Sequence, residues 1–189
     1  MKKDILAVLA LVILAVILAG GVEIQSVEEY YRVHPEEIRP EDETVFLTIR
    51  CDTVWNHVGD LDPYLRDGGY LPADGVILER RELVLRPGDT VYDVLERATR
   101  YHEIPLETRG SGIGTGKDVY VRGIQYLYEF SCGPLSGWMY TVNGRFPEMG
   151  SGCCSLQDGD EVAWVYTCDL GRDVGCVWAD GERRQEGNP

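Results

Sequence analysis

Tyr126–Asp169 reads YLYEFSCGPLSGWMYTVNGRFPEMGSGCCSLQDGDEVAWVYTCD. Two of its segments alternate as half-buried strands do. Gly137–Val142 runs into Asn143-Gly144, a strong signal for a tight hairpin turn. Glu161–Cys168 places Val162, Trp164, Tyr166 and Cys168 on one face and Ala163, Val165 and Thr167 on the other. Asp158-Gly159-Asp160 is a further turn. Upstream, Val119–Phe130 reads as a strand with Ile124, Tyr126, Tyr128 and Phe130 on one face. The aromatics of this stretch read first as core and cross-strand pairs, Trp164 and Phe130 above all. Gly137-Trp138-Met139-Tyr140 differs. Glycine and Ser136 beside a tryptophan, ahead of a tight turn, allow a ligand to approach backbone and ring closely.

Working outward, Thr44–Cys51 (TVFLTIRC) is β-branched and alternating, a strand. Residues 52–75 are rich in Asp, Gly and Pro and read as a long loop with one helical turn. Val76–Arg86 is a second strand region with a hairpin bend near Arg80–Arg81. Thr90 opens a capping box with Asp93, and Val91, Val94, Leu95 and Ala98 carry the helical spacing of an amphipathic helix that ends before Pro105. Strand, strand, helix and several strands point to an α+β roll, with one main helix lying across a mixed sheet. In such a roll the first and last strands lie side by side and parallel. Cys51 and Cys168 then end neighbouring strands at one sheet edge and are a candidate disulfide. Cys132, Cys153, Cys154 and Cys176 are the other candidates, and their connectivity stays open.

The chain has 189 residues, enough for one domain plus appendages. Acids outnumber bases 32 to 18, a net charge of -14. That balance argues against nucleic acid as a partner, because phosphate binding needs a basic face. Lys2 and Lys3 precede an uncharged apolar run from Ile5 to Val22. At about 1.5 Å per residue this run spans roughly 27 Å as a helix, enough for a thin hydrocarbon core. The basic flank puts the N-terminus in the cytoplasm and the remainder outside. Residues 1–22 are therefore read as a signal anchor, with a cleaved signal peptide cut after Gly21 as the alternative. Residues 23–43 are an acidic tether, 44–176 the folded unit and 177–189 a polar tail. Outside the cytoplasm cysteines favour disulfides.

Catalytic and metal motifs are weak. RGSGIGTGK (109–117) has Ser111 where a phosphate loop needs glycine and Asp118 where it needs Ser or Thr. From Gly110, a dinucleotide fingerprint fails at Thr115. The histidines, His34, His57 and His102, are scattered. Cys153-Cys154 lacks CxxC spacing. Asp60-Leu61-Asp62 starts like a calcium loop, but Pro63 and Tyr64 spoil it. Asp158-Gly159-Asp160 is most simply a turn, with a weak calcium site as the alternative. No GxSxG elbow and no nucleophile–base pair are evident, so no enzyme is expected.

Several of these elements resemble the transcobalamin-like C-terminal domain family. They are Leu127–Phe130, Ser136–Gly144 (SGWMYTVNG), Leu156–Val162 with its DGD, and Trp164–Gly171. Pro87–Leu95 is similar to the family's strand-to-helix entry, and Ile49–Thr53 to the opening strand of its membrane-anchored bacterial members. The likeness covers about residues 44–175. It implies a β-grasp-like fold and binding of a soluble ligand. In animal cobalamin carriers the related domain closes over one face of the corrinoid beside a helical-barrel domain. Here there is no room for that barrel, so the resemblance implies a second binding protein, and the ligand is cobalamin or a related corrinoid. Cys153 and Cys154 stand where such members usually place an aromatic. Gly137, Trp138, Tyr140 and Asn143 are the expected ligand-facing residues: a flat aromatic and an amide suit a large ring edged with amides. The alternative is a surface interaction module that meets a transporter, adhesin or cell-wall protein through a strand edge.

Overall fold

In the computed structural model the chain divides into two units, Met1–His34 and Pro35–Pro189. The structure describes residues 37–110 and 119–176. The anchor at 1–22, the first part of the tether, the glycine loop from 111 and the tail at 177–189 lie outside those residues. Among the described residues, no helix is long and apolar enough to cross a membrane.

The second unit is α+β. Its strands are β1 (Thr44–Arg50), β2 (Val76–Val84), β3 (Leu106–Arg109), β4 (Tyr120–Ile124), β5 (Leu127–Tyr128), β6 (Gly137–Val142) and β7 (Glu161–Thr167). Helix α1 is Pro63–Gly68 and the main helix α2 is Val91–Tyr101. A 3-10 turn covers Asp52–Asn56 and another Arg172–Val174. The expected single sheet is in fact two: a four-stranded mixed sheet in the order β2-β1-β7-β6, and a three-stranded one in the order β3-β4-β5.

The first and last strands are parallel neighbours, as expected, with Phe46 opposite Glu161 and Arg50 opposite Val165. Val45, Leu47 and Ile49 from β1, Val162, Trp164 and Tyr166 from β7, and Trp138 and Tyr140 from β6 enter one core. The main helix contributes Val91, Val94, Leu95 and Ala98 to it. The capping box is present: Thr90 Oγ1 accepts from Asp93 N–H, and the Asp93 carboxylate accepts from Thr90 N–H at 2.8 Å.

Four expectations change. β2 is one continuous strand whose register shifts against β1, so no hairpin bends at Arg80–Arg81. Val119–Phe130 is not one strand. Gln125 and Tyr126 take left-handed backbone (φ 52 and 64) and fold β4 back onto β5. Phe130, expected in the core, is 62% exposed. Finally, no disulfide joins any pair of cysteines among the described residues. Arg50 is level with Val165, so the register puts Cys51 beside Tyr166, two residues short of Cys168. At about 3.3 Å per residue that offset separates their sulfurs. Cys168 instead has Cys132 as its neighbour, each thiol perturbing the other's ionisation. The Cys51 thiol, in the core, is pushed up to about 12 by burial, then by the charges of Asp52 and Asp74.

The two turns singled out in the sequence clamp the sheet. Asn143 (φ 51) and Gly144 (φ 73) close a two-residue hairpin between Val142 and Arg145. Asp158 Oδ1 accepts from Thr44 N–H at 2.8 Å and Asp160 Oδ2 from Gln157 N–H at 2.8 Å. These carboxylates hold chain turns and the start of β1, so the turn reading fits them better than the calcium alternative.

Gly75 shows how tightly the start of β2 meets the 3-10 turn. Its φ is 73, and a Cβ there would stand 2.3 Å from Asp52 Cα. Gly75→Ala is expected to cost about 1–3 kcal/mol from the backbone conformation alone, with the clash added. Urea denaturation measures it; a loss within experimental error would contradict this packing.

Candidate functional site

β6 is a terminal strand of the four-stranded sheet. Its alternation buries Trp138 and Tyr140 and leaves Gly137 and Met139 half-buried. The Trp138 indole N–H donates to Leu127 O at 2.8 Å, and its ring meets Tyr166 edge-on at 5.3 Å. The Tyr166 hydroxyl donates to Tyr128 O at 2.7 Å and lies 2.9 Å from Ser136 Oγ. Both bonds end on β5, so these two aromatics tie one sheet to the other. The Tyr140 hydroxyl donates to Met149 O at 2.8 Å. Burial pushes both tyrosine hydroxyls well above their ordinary pKa, which keeps them protonated hydrogen-bond donors.

Two apolar grooves flank this strand. One, of about 420 Å³, lies between Trp138, Tyr140, Phe146, Pro147 and Met149. The other, of about 260 Å³, lies between Phe130, Leu135, Gly137, Trp138 and Leu170. Trp138 and Met139 border both. On the rim of the second groove Phe130 is 62%, Leu135 44% and Leu170 39% exposed. Phe130 (φ 69) and Leu170 (φ 50) sit on left-handed backbone, which L side chains avoid at a cost of about 1–2 kcal/mol per residue. Each is held there by a backbone bond: Phe130 N–H to Ser136 O at 3.0 Å and Leu170 N–H to Leu135 O at 2.9 Å. Ser136 braces the turn, donating to Gly133 O at 2.8 Å and accepting from Cys132 N–H at 3.0 Å. Under the rim, Gly171 (φ 88) passes so close to Met139 that a Cβ would lie 2.9 Å from its sulfur.

Of the four expected ligand-facing residues, the structure brings Gly137, Trp138 and Tyr140 to the grooves. Trp138 and Tyr140 form the walls, with their polar atoms already bonded. Asn143 stands apart, in the hairpin turn. Its Nδ2 donates to Asp160 Oδ1 at 2.8 Å and its Oδ1 accepts from Glu161 N–H at 2.9 Å. Of the exposed rim residues, Phe130 was expected in the core, and Leu135, Met149 and Leu170 were not singled out as site residues in the sequence. Left-handed backbone at a phenylalanine and a leucine leaves no compositional trace.

The sheet's two terminal strands are finished differently. β2 carries Glu79, Arg80, Arg81 and Glu82, all exposed. Such charges blunt a sheet edge against further pairing. β6 reads GWMYTV and carries none. Metal-ligating side chains gather elsewhere, at His57, Cys168 and Asp173 near the end of β7.

The family model described as a domain of unknown function (DUF4430) matches residues 88–168, less than half of the chain. No curated protein matches the chain. Among solved structures, a haptocorrin in complex with Cbi is similar at 12% identity and a TM-score of 0.44, over 71% of this chain. The chain spans only 28% of that haptocorrin. A "putative metal binding protein" from Ruminococcus gnavus ATCC 29149 is similar at 9% identity and a TM-score of 0.39, over 67% of this chain and 97% of its own.

Proposed function

We propose that the chain is a membrane-tethered, extracytoplasmic module that binds a soluble ligand in the grooves beside β6, with cobalamin or a related corrinoid as the ligand. The observation that carries the reading is the rim: two bulky apolar side chains, Phe130 and Leu170, exposed on strained backbone around one groove. Strain of this kind persists where surrounding structure enforces it, and it collects at ligand clamps. Exposed apolar residues gathered on one side of a soluble domain mark a contact surface. The grooves are open, so they cover one face of a ligand and leave the other to solvent or to a second binding protein. The corrinoid is suggested by the resemblance carried by SGWMYTVNG and DGD. The parallel β1–β7 pair under a single main helix suits the β-grasp-like roll that the same resemblance implies. No catalytic role is assigned. Localisation rests on the apolar run at Ile5–Val22, and externally added protease should cut the folded unit on intact cells.

Cobinamide and cobalamin titrated into the full chain should quench tryptophan fluorescence saturably, because Trp138 walls both grooves. A flat titration up to millimolar ligand would overturn the corrinoid assignment.

A second reading rests on the β6 edge, which pairs with no further strand among the described residues and has apolar flanks. It makes the module a docking element for a transporter or cell-wall protein through strand addition. Crosslinking in membranes separates the two: a partner caught at the same yield with and without ligand favours the second.

A further inference from the structure

We propose that the end of β7 carries a metal site of zinc-class chemistry, built from His57, Cys132, Cys168 and Asp173. The ligand atoms of His57, Cys168 and Asp173 all lie within 4.8 Å of one another. Zinc bonds of about 2.0–2.3 Å place tetrahedral ligands roughly 3.3–3.8 Å apart, so side-chain shifts of about 1 Å close the set. Cys132 joins them. Its thiol lies within hydrogen-bond reach of that of Cys168. Its sulfur also donates to His57 O at 3.5 Å. Two sulfurs, an imidazole and a carboxylate are a donor set suited to zinc, and too soft for magnesium or calcium.

The groups also make the supporting hydrogen bonds that ligands usually make. His57 Nδ1–H donates to the Thr53 carbonyl at 3.1 Å, which leaves Nε2 as the nitrogen with a lone pair to give. A backbone carbonyl on the second ring nitrogen is the common support of a metal-bound histidine. Asp173 Oδ2 accepts from Cys168 N–H at 2.7 Å, and Oδ1 accepts from the Thr167 hydroxyl. The carboxylate is thus fixed beside the sulfur it would share an ion with. Asp173 is exposed and His57 half-buried, while both sulfurs are buried, so an ion enters from the solvent side. A plain cystine would use the two sulfurs alone. The convergence of an imidazole and a carboxylate on the same sulfur favours the ion.

Binding needs no redox partner: the divalent ion takes the place of the two thiol protons, which leave to solvent. The four ligands come from three segments, so the ion would fasten the 168–173 strap, which carries Leu170, to the 3-10 turn and to the 131–136 turn.

The full chain, purified under reductant and loaded with Co²⁺, should bind one ion and show thiolate-to-cobalt charge-transfer absorption. Zn²⁺ should displace the cobalt and remove the absorption. The pair Cys132→Ser and Cys168→Ser should abolish the absorption, whereas Cys153→Ser with Cys154→Ser should leave it intact. Asp173→Asn, which keeps the shape of the strap, should weaken zinc by about tenfold or more with the thiolate band retained. Absence of the band in the parent chain would overturn the site, as would equal zinc retention by the Cys132/Cys168 double variant. A Cys132–Cys168 cystine in protein isolated from cells without reductant would also overturn it.

Discussion

Replacing Trp164 with alanine is expected to remove about 3–5 kcal/mol of stability, close to the whole stability of a typical domain. Trp164 is 2% exposed at the middle of β7. It lies opposite Ile49 on β1 and Tyr140 on β6, whose ring it meets at 5.5 Å. Truncation therefore opens a cavity between both neighbouring strands, where strand pairing holds the backbone and prevents collapse. Trp164→Phe separates packing from polarity. The indole Nε1 is buried and has no hydrogen-bond partner among the described residues. An orphaned buried donor costs about 1–3 kcal/mol, and phenylalanine removes it while keeping most of the ring. The phenylalanine variant should therefore lose far less than the alanine variant, about 1 kcal/mol or less after this offset. Urea denaturation with an unchanged m-value is the measurement. Equal losses in the two variants would show that the indole nitrogen is satisfied in solution.

The second large effect separates function from stability. Leu170→Gly and Phe130→Gly remove apolar side chains from the rim and also relieve left-handed backbone, which glycine adopts freely. Relief of about 1–2 kcal/mol is set against glycine's extra chain entropy of about 0.5–1 kcal/mol. Stability should hold or rise slightly. Ligand affinity should fall, because an apolar side chain covered by a ligand contributes up to about 1.5–3 kcal/mol. At about 1.4 kcal/mol per tenfold, each variant should weaken cobinamide binding roughly ten- to a hundredfold. If either variant instead lost about 2 kcal/mol or more of stability with unchanged binding, the rim would be a structural feature and the groove would lose its ligand.

What the sequence revealed and what it hid divide along physical lines. The main helix was legible because Thr90 and Asp93 mark its start and its apolar spacing is unbroken. β7 was legible through its alternation, and its pairing with β1 through the need to fold the sheet under one helix. The hairpin at Gln125-Tyr126 was hidden because neither residue is the glycine or asparagine that left-handed backbone usually selects. The reversal is enforced by pairing of β4 with β5. Arg80–Arg81 looked like a bend because four consecutive charges interrupt the alternation, whereas a terminal strand tolerates them. The Cys51–Cys168 expectation had the right strands side by side and missed the register by two residues. The groove was half legible. SGWMY pointed to its walls, but Phe130 and Leu170 are brought to the rim by turns that composition does not announce. The metal ligands were invisible for a related reason: positions 57, 132, 168 and 173 share no local spacing, and the fold alone assembles them.

The most direct test of the binding account is a titration of the ¹⁵N-labelled full chain with cobinamide, followed amide by amide. The account requires saturable shifts centred on Phe130, Leu135, Gly137, Met139 and Leu170, with the amides of β2 at Glu79–Glu82 unmoved. Shifts that never saturate, or that centre on β2 or another face while the β6 grooves stay silent, would contradict it.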